Sequence, residues 1–388
     1  MGIFKRLTHT RLAIALVTLI ASVLGNSKSV YALSFTVTGT VQYQNPGSIT
    51  FSNVQNARVE IVVNTTSFFG STNGSGFFSI PVNTTAANPS VTPKVYTQDT
   101  NTIQSVKVKD TGNVVYFAPF AARNWNSSSN LDFGVLQVKQ TDPAVTPFFI
   151  YDQIAVVARN KLNTGPSWTP TFTVDAVFPA STTGSQYDPV NKKISIVSGD
   201  GTVPSLIIHE YGHAVMHMLF TAFPVGNNCP TSHNFSDPSS GNCAWTEGWA
   251  DFFQAYVRNI GNYDFGIGTP INLETIDRFG PTFEKAVAGA LWDIFDAVDS
   301  TEWDGINLGI GTATTGIWGR MNQPLAANQP FDGPDFLGKW LQNYNANNND
   351  VRSIFAWNGM CSRKVTNSGI GTTYQHSCSY GPLILKQY

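Results

Sequence analysis

The spacing of apolar residues changes once along the chain, and that change limits the folds open to it. From Ser34 to about Lys139 the apolar positions alternate or cluster in short β-branched runs, including Phe35–Gln42, Ala57–Val63, Gly76–Val82, Ser105–Lys109 and Asp132–Val138. Clusters of Asn, Gly, Ser and Pro separate the runs, and Ser71–Ile80 reads as a tight Gly-containing turn between two strands. Alternation with a period of two is the mark of half-buried strands, so this stretch predicts an antiparallel β-sandwich. Beyond residues 141–146 the period becomes helical, with Phe149, Ile150, Ile154, Val157 and Ala158 on one face of Pro147–Leu162. Two strand candidates follow, Thr171–Phe178 and Lys193–Val197, and then a long helix over Val203–Phe220. Further helices are expected at Thr246–Arg258, Thr282–Val298 and Pro334–Tyr344, with Asn345–Asp350 as a loop. The chain therefore reads as multi-domain: an antiparallel β-sandwich, then an α+β region with a mainly helical C-terminal subdomain.

The first 32 residues stand apart from both regions. They hold Lys5, Arg6, Arg11 and Lys28 without an acid, an apolar run from Leu12 to Leu24, and Val30-Tyr31-Ala32 with small residues at a cleavage point. This is the pattern of an export signal cleaved after Ala32. A largely apolar run of thirteen residues falls short of the roughly 20 a spanning helix needs, so no membrane contact is expected after cleavage. The other 356 residues carry 19 basic against 25 acidic side chains, too little positive charge to hold nucleic acid through its phosphates. Four cysteines in an exported chain favour disulfides, and the sequence-local pairs Cys229–Cys243 and Cys361–Cys378 are the expected ones among three connectivities.

Chemistry is concentrated in Leu206–His217, which contains His209-Glu210-Tyr-Gly-His213. On a helix, residues 209 and 213 lie one turn apart on one face, so both imidazoles can reach a single Zn²⁺ while Glu210 stands beside them. With six His and six Glu in 388 residues, chance would produce this pattern about 0.001 times, which makes coincidence a poor explanation. Ile207, Ile208, Tyr211, Val215, Met218 and Leu219 form the opposite face and should bury.

A catalytic zinc site keeps three protein ligands and one open position, so a third ligand is expected downstream. Leu219 and Met216 occupy the positions where a metzincin carries His and Gly, and Gly268-Thr-Pro-Ile-Asn272 and Gly311-Thr-Ala-Thr-Thr315 both lack the Asp of the aspartate type. Glu247, in Trp245-Thr-Glu-Gly-Trp-Ala-Asp251, is the one Glu with an Asp four residues later. That spacing puts both carboxylates on one helix face, Glu247 free to bind metal and Asp251 to orient a ligand histidine. Trp245, Trp249, Phe252 and Phe253 around them argue for burial, which carboxylates tolerate only with a cation or donors.

His-Glu-Tyr-Gly-His-Ala-Val at 209–215, Glu-Gly-Trp-Ala-Asp at 247–251 and Ser198-Gly-Asp-Gly201 ahead of the helix make residues 145–345 resemble the gluzincins, the thermolysin-like and fungalysin-like zinc peptidases. Ala290–Asp296 also resembles a helix of secreted members. The first hundred mature residues resemble carboxypeptidase-regulatory-like sandwich modules. The resemblance implies a signal peptide over 1–32, an accessory sandwich over 33–140, and a zincin-like domain over 141–388, divided into sheet plus active-site helix (141–222) and helical subdomain (223–388). It implies one catalytic zinc on His209, His213 and Glu247, with Glu210 as general base on a zinc-bound water and Asp251 behind a ligand histidine. The expected function is a secreted zinc metalloendopeptidase acting on protein or peptide substrates. An inactive zincin-fold binding or adhesion protein and a zinc hydrolase of non-peptide amides are the alternatives.

Several points stay open at the level of sequence. The donor to the tetrahedral oxyanion is unassigned among His233, Tyr263, Tyr374 and His376. His217 shares the metal face as cleft lining or core histidine, and the gluzincin resemblance implies that Lys193–Val197 is a sheet edge for a substrate backbone. Calcium is implied by the family alone, with no EF-hand-like spacing behind it.

Overall fold

The computed structural model describes residues 33–100, 105–126, 129–168, 173–220, 223, 229, 235–266, 268–275, 277–296, 306–312, 314–322, 329–343, 347–368 and 371–377. The expected export signal lies outside these residues.

The N-terminal region is β-rich, as its alternation requires. Its strands are β1 (Leu33–Gln44), β2 (Phe51–Asn53), β3 (Ala57–Val63), β4 (Thr66–Ser71), β5 (Phe77–Thr84), β6 (Ser90–Asp99), β7 (Val106–Lys109), β8 (Phe117–Pro119), β9 (Arg123–Asn124) and β10 (Leu131–Val138). Every second residue of β1 from Phe35 to Tyr43 is buried, so the strand turns one apolar face inward. The expected turn at 71–80 is present between β4 and β5, with Asn73 Oδ1 accepting from the Ser75 and Phe77 amides.

Two features depart from a purely antiparallel sandwich. In one sheet β1 pairs antiparallel with β2 and β5 but parallel with β10, Val37 opposite Leu131 and Tyr43 opposite Val138. The other sheet does not stop at residue 140. Its order is β12-β13-β11-β7-β6-β3-β4, where β11 (Val174–Val177), β12 (Gln186–Asp188) and β13 (Lys193–Ser195) come from the second region. Strand β11 pairs parallel with β7 on one side and β13 on the other. Sheet hydrogen bonds therefore cross the junction at which the apolar period changes. Strand β13 is internal, and the edge expected at Lys193–Val197 is instead β12, antiparallel to β13.

The C-terminal part is mainly helical. Helix α1 (Val145–Asp152) runs through a π-helical stretch, Gln153–Ala158, into α2 (Arg159–Thr164). Then come α3 (Pro204–Leu219), α4 (Gly241–Arg258), β14 (Asn262–Tyr263), β15 (Ile271–Asn272), α5 (Glu284–Phe295), α6 (Gly316–Met321), α7 (Gly333–Asn343) and α8 (Asn348–Trp357). Helix α8 begins inside the Asn-rich stretch expected to be a loop, and a hairpin of β16 (Ser362–Ser368) and β17 (Gly371–Ser377) follows. Neither departure has a strong apolar period to announce it. No helix among the described residues is long and apolar enough to cross a membrane.

Helix α1 packs on β1, β6 and β7, and α3 on β12 and β13, while α4 lies between α3 and α5. A buried ion pair joins the two regions: Arg159 on α2 donates to Asp99 at the end of β6. Cys229 and Cys243 form a disulfide. Cys361 is also disulfide-bonded, and Cys378 of the expected second pair lies outside the described residues.

Candidate metal centre

Helix α3 starts at Pro204, a residue suited to the first helical turn because its missing N–H would have no partner there. The loop before it is tied down at Asp200, whose Oδ2 accepts from Ser185 Oγ at 2.6 Å. Ile207, Ile208, Tyr211, Val215 and Leu219 are buried, as the apolar face predicts, while Met218 of the same face is half-buried. Helix α4 is capped by Ser240, whose hydroxyl accepts from the Cys243 amide.

Two glycines set the depth at which these helices meet. A Cβ on Gly212 would stand 3.2 Å from the Ala250 Cα and 3.1 Å from Phe253, so α3 and α4 touch almost backbone to backbone there. Trp249 Nε1 donates across the contact to the Gly212 carbonyl at 3.1 Å. A Cβ on Gly248 would stand 2.7 Å from the Glu284 carbonyl oxygen on α5. Glycine inside a helix costs about 1 kcal/mol relative to alanine, and here it brings Glu247 within reach of both histidines.

The resulting constellation is tight. Glu247 Oε2 lies 3.0 Å from His213 Nε2 and 3.3 Å from His209 Nε2, and the two imidazole nitrogens are 3.1 Å apart. Zinc held tetrahedrally by ligands at roughly 2.0–2.1 Å separates its ligand atoms by about 3.3 Å. The three donors thus already stand near the corners of one tetrahedral face, and two imidazoles with a carboxylate are a donor set zinc accepts. On the far side of His209, Nδ1 is 2.8 Å from Asp251 Oδ1, the arrangement in which a carboxylate fixes a ligand histidine's ring.

Burial makes the charges interdependent. His209, Glu210, His213, Glu247 and Asp251 are exposed by 7, 6, 6, 6 and 1 %. Loss of water disfavours protonation of His209, yet Asp251 and Glu247 hold its pKa well above the usual imidazole value. Burial likewise raises Glu247, but the two histidines pull it well below the carboxylate range. For Asp251 burial wins and its pKa is raised, His209 opposing. A cluster this short of water needs positive charge, supplied by protons on imidazole or by a metal cation.

Of the four candidates for a further donor, Tyr263 is at the site. Its ring meets His209 edge to face at 5.5 Å, and burial with Asp251, Glu210 and Glu247 nearby pushes its hydroxyl pKa well up. His233 lies outside the described residues, and Tyr374 and His376 fall in β17. His217 is half-buried and its Nδ1 is 2.8 Å from the Tyr187 hydroxyl on β12, which ties α3 to the sheet edge. Phe223 packs edge-on against His213 and His217.

Residues 166–331 match the Mycolysin C-terminal domain family model. This stretch holds both helices of the cluster, and the match supports a relation to thermolysin-like metallopeptidases. The chain is also 33% identical over 129 residues to an uncharacterized protein of Archaeoglobus fulgidus, covering 32% of this chain and 36% of that relative. It thus spans about a third of the length of the curated relative it matches.

Proposed function

We propose that the chain is a secreted zinc metalloendopeptidase whose metal ligands are His209, His213 and Glu247. The observation that carries the reading is the mutual approach of three donor atoms to 3.0–3.3 Å with a second glutamate, Glu210, buried one residue from the first histidine. Zinc bound there supplies a Lewis acid for the scissile carbonyl and lowers the pKa of water toward 7. Glu210 accepts the proton of the attacking water and delivers it to the departing amine, so one carboxylate serves both steps. Asp251 keeps His209 in one ring orientation, with the nitrogen facing Glu247 left as a lone-pair donor. Tyr263 is the candidate donor for the developing oxyanion.

Strand β12, at the edge of the sheet among the described residues, suits a substrate that adds as an extra strand, and this mode reads backbone more than side chains, which supports broad protein substrates. The pairing of β7 with β11 supports retention of residues 33–140 in the mature enzyme, because removing them would strip six of the nine strands from the sheet beneath the site. The mass of the secreted protein tests that point.

The decisive experiment compares wild type with Glu210→Gln for zinc content and casein hydrolysis. Zinc near one per chain is expected in both, with activity lower by about a thousandfold or more in the variant, as loss of an essential base requires. Equal casein hydrolysis would favour another base. Zinc in both proteins with hydrolysis in neither would favour the binding-protein alternative, and turnover of small amides without casein would favour the amidase.

A further inference from the structure

Glu247 faces two groups of ligands. Its Oε2 approaches the histidines, while its Oε1 lies 3.5 Å from Cys229 Sγ. The disulfide partner, Cys243, stands four residues before Glu247 on α4, and that spacing places the two on one helix face. A carboxylate oxygen of Glu247 and the sulfurs of Cys229 and Cys243 all lie within 4.8 Å of one another, as do the donor atoms of His209, His213 and Glu247. One carboxylate is thus common to a nitrogen-rich set and a sulfur-rich set.

While the disulfide is intact, the sulfurs carry no charge to offer a cation. Reduction changes this. Two electrons and two protons from a small dithiol break the S–S bond and leave two thiols, and the reductant becomes its own disulfide. Sulfurs that bind one zinc at roughly 2.3 Å stand about 3.8 Å apart, close to the separation that two unbonded sulfurs adopt in contact. On metal binding the thiols release their protons to solvent and the sulfurs ligate as thiolates.

We propose that reduction of Cys229–Cys243 creates a second, thiophilic metal site from the two sulfurs and Oε1 of Glu247, in competition with the histidines for that carboxylate. The ligand class is a soft or borderline divalent cation such as zinc, cobalt or cadmium. The consequence for activity rests on the zinc-peptidase reading: a chain not yet oxidised has its third metal ligand drawn toward the sulfurs, so peptide hydrolysis awaits the oxidising side of the membrane. The site itself stands on the contact between Cys229 and Glu247, whatever the histidines bind.

The test is a cobalt titration of the metal-free full chain before and after treatment with a dithiol, read by thiolate-to-cobalt charge-transfer absorption, with circular dichroism as the check on folding. The oxidised chain should show no such band, and the reduced chain should show one saturating near one cobalt. Cys361→Ser should retain the band, Cys229→Ser should lose it, and Glu247→Gln should weaken cobalt binding to the reduced chain by about tenfold or more. A folded reduced chain without the band would overturn the proposal. So would a band undiminished in Cys229→Ser, which would place it on the other cysteine pair, or a chain that loses its folded spectrum before taking up cobalt. None of these readings depends on casein hydrolysis, so the site can fail while the peptidase reading stands, and the reverse.

Discussion

The sheet region and the crossing of α3 with α4 treat charge in opposite ways. In the sheet, side chains alternate between core and solvent, and Glu60, one of the few acids held inward, stays near the surface. It accepts from Ser67 and Tyr96 and lies 3.5 Å from Lys94, and although burial opposes ionisation these partners lower its pKa. At the helix crossing five ionisable side chains are buried together on two adjacent helices. Burying a charge is tolerable only with a partner, and the partners here are one another or a cation. The difference separates a scaffold with isolated, partnered acids from a helix crossing that accepts electrostatic cost to hold a cluster of ionisable groups.

The two regions differ most at Glu247. Replacing it with Ala leaves two imidazoles without their shared carboxylate, and zinc affinity measured by chelator competition should fall by about a thousandfold or more, beyond the 10–100-fold usual for outer-shell changes. Glu60→Ala, made in the sheet, should leave zinc affinity unchanged. Zinc retained at full affinity in Glu247→Ala would erase the distinction between the two regions.

Next in size is the ion pair that joins them. Arg159→Met leaves Asp99 buried beside an apolar side chain, and truncating one partner of a buried pair costs about 3–5 kcal/mol. Urea unfolding should register that loss. Arg159 also lowers the pKa of the Tyr211 hydroxyl, which burial raises, so its influence reaches the helix carrying the histidines. Zinc affinity of the folded variant should nonetheless stay within about threefold of wild type, since Arg159 touches no proposed ligand. A large change in affinity would mean that the sheet does more than support the helices.

Asp251→Asn probes the helix crossing more gently. An amide keeps the shape and loses the charge facing His209 Nδ1, so zinc affinity should drop by about 10–100-fold while unfolding changes little. An unaltered affinity would reduce Asp251 to a packing role.

These expectations also show what the amino-acid pattern made legible. Strand β3 occupies Ala57–Val63, the run its alternation marks, and α3 covers Pro204–Leu219 within the expected Val203–Phe220. Both signals are local periods. The parallel pairing of β1 with β10, the continuity of β7 with β11, and the edge position of Gln186–Asp188 join residues distant in sequence or carry no apolar alternation. The candidate site divides in the same way. His209, His213, Glu247 and Asp251 each sit at an (i, i+4) spacing and were marked by it. Tyr263 reaches His209 from another element, and nothing in its neighbourhood distinguished it from Tyr374. The approach of Cys229 to Glu247 did leave a trace, because Cys243 and Glu247 share the same four-residue spacing.

The smallest effect lies where the regions meet, at Asp152 on α1, to whose Oδ2 the Tyr43 hydroxyl of β1 donates at 3.0 Å. Burial pushes its carboxyl up to about 6, and the hydrogen bond from Tyr43 only partly offsets this. The folded chain therefore holds a proton that the unfolded chain has released between the ordinary aspartate value and about 6. Stability falls with rising pH wherever the native state binds more protons, so the contribution of Asp152 is most favourable below pH 4 and declines up to about pH 6. Asp152→Asn, which cannot ionise, should escape that decline. Its unfolding free energy relative to wild type should rise by about 1–3 kcal/mol between pH 4 and pH 7, as a shift of about two pKa units implies. A difference that stays flat across this range would mean that Asp152 is solvated as well as a surface acid, and that the seam between sheet and helices is wetter than its packing indicates.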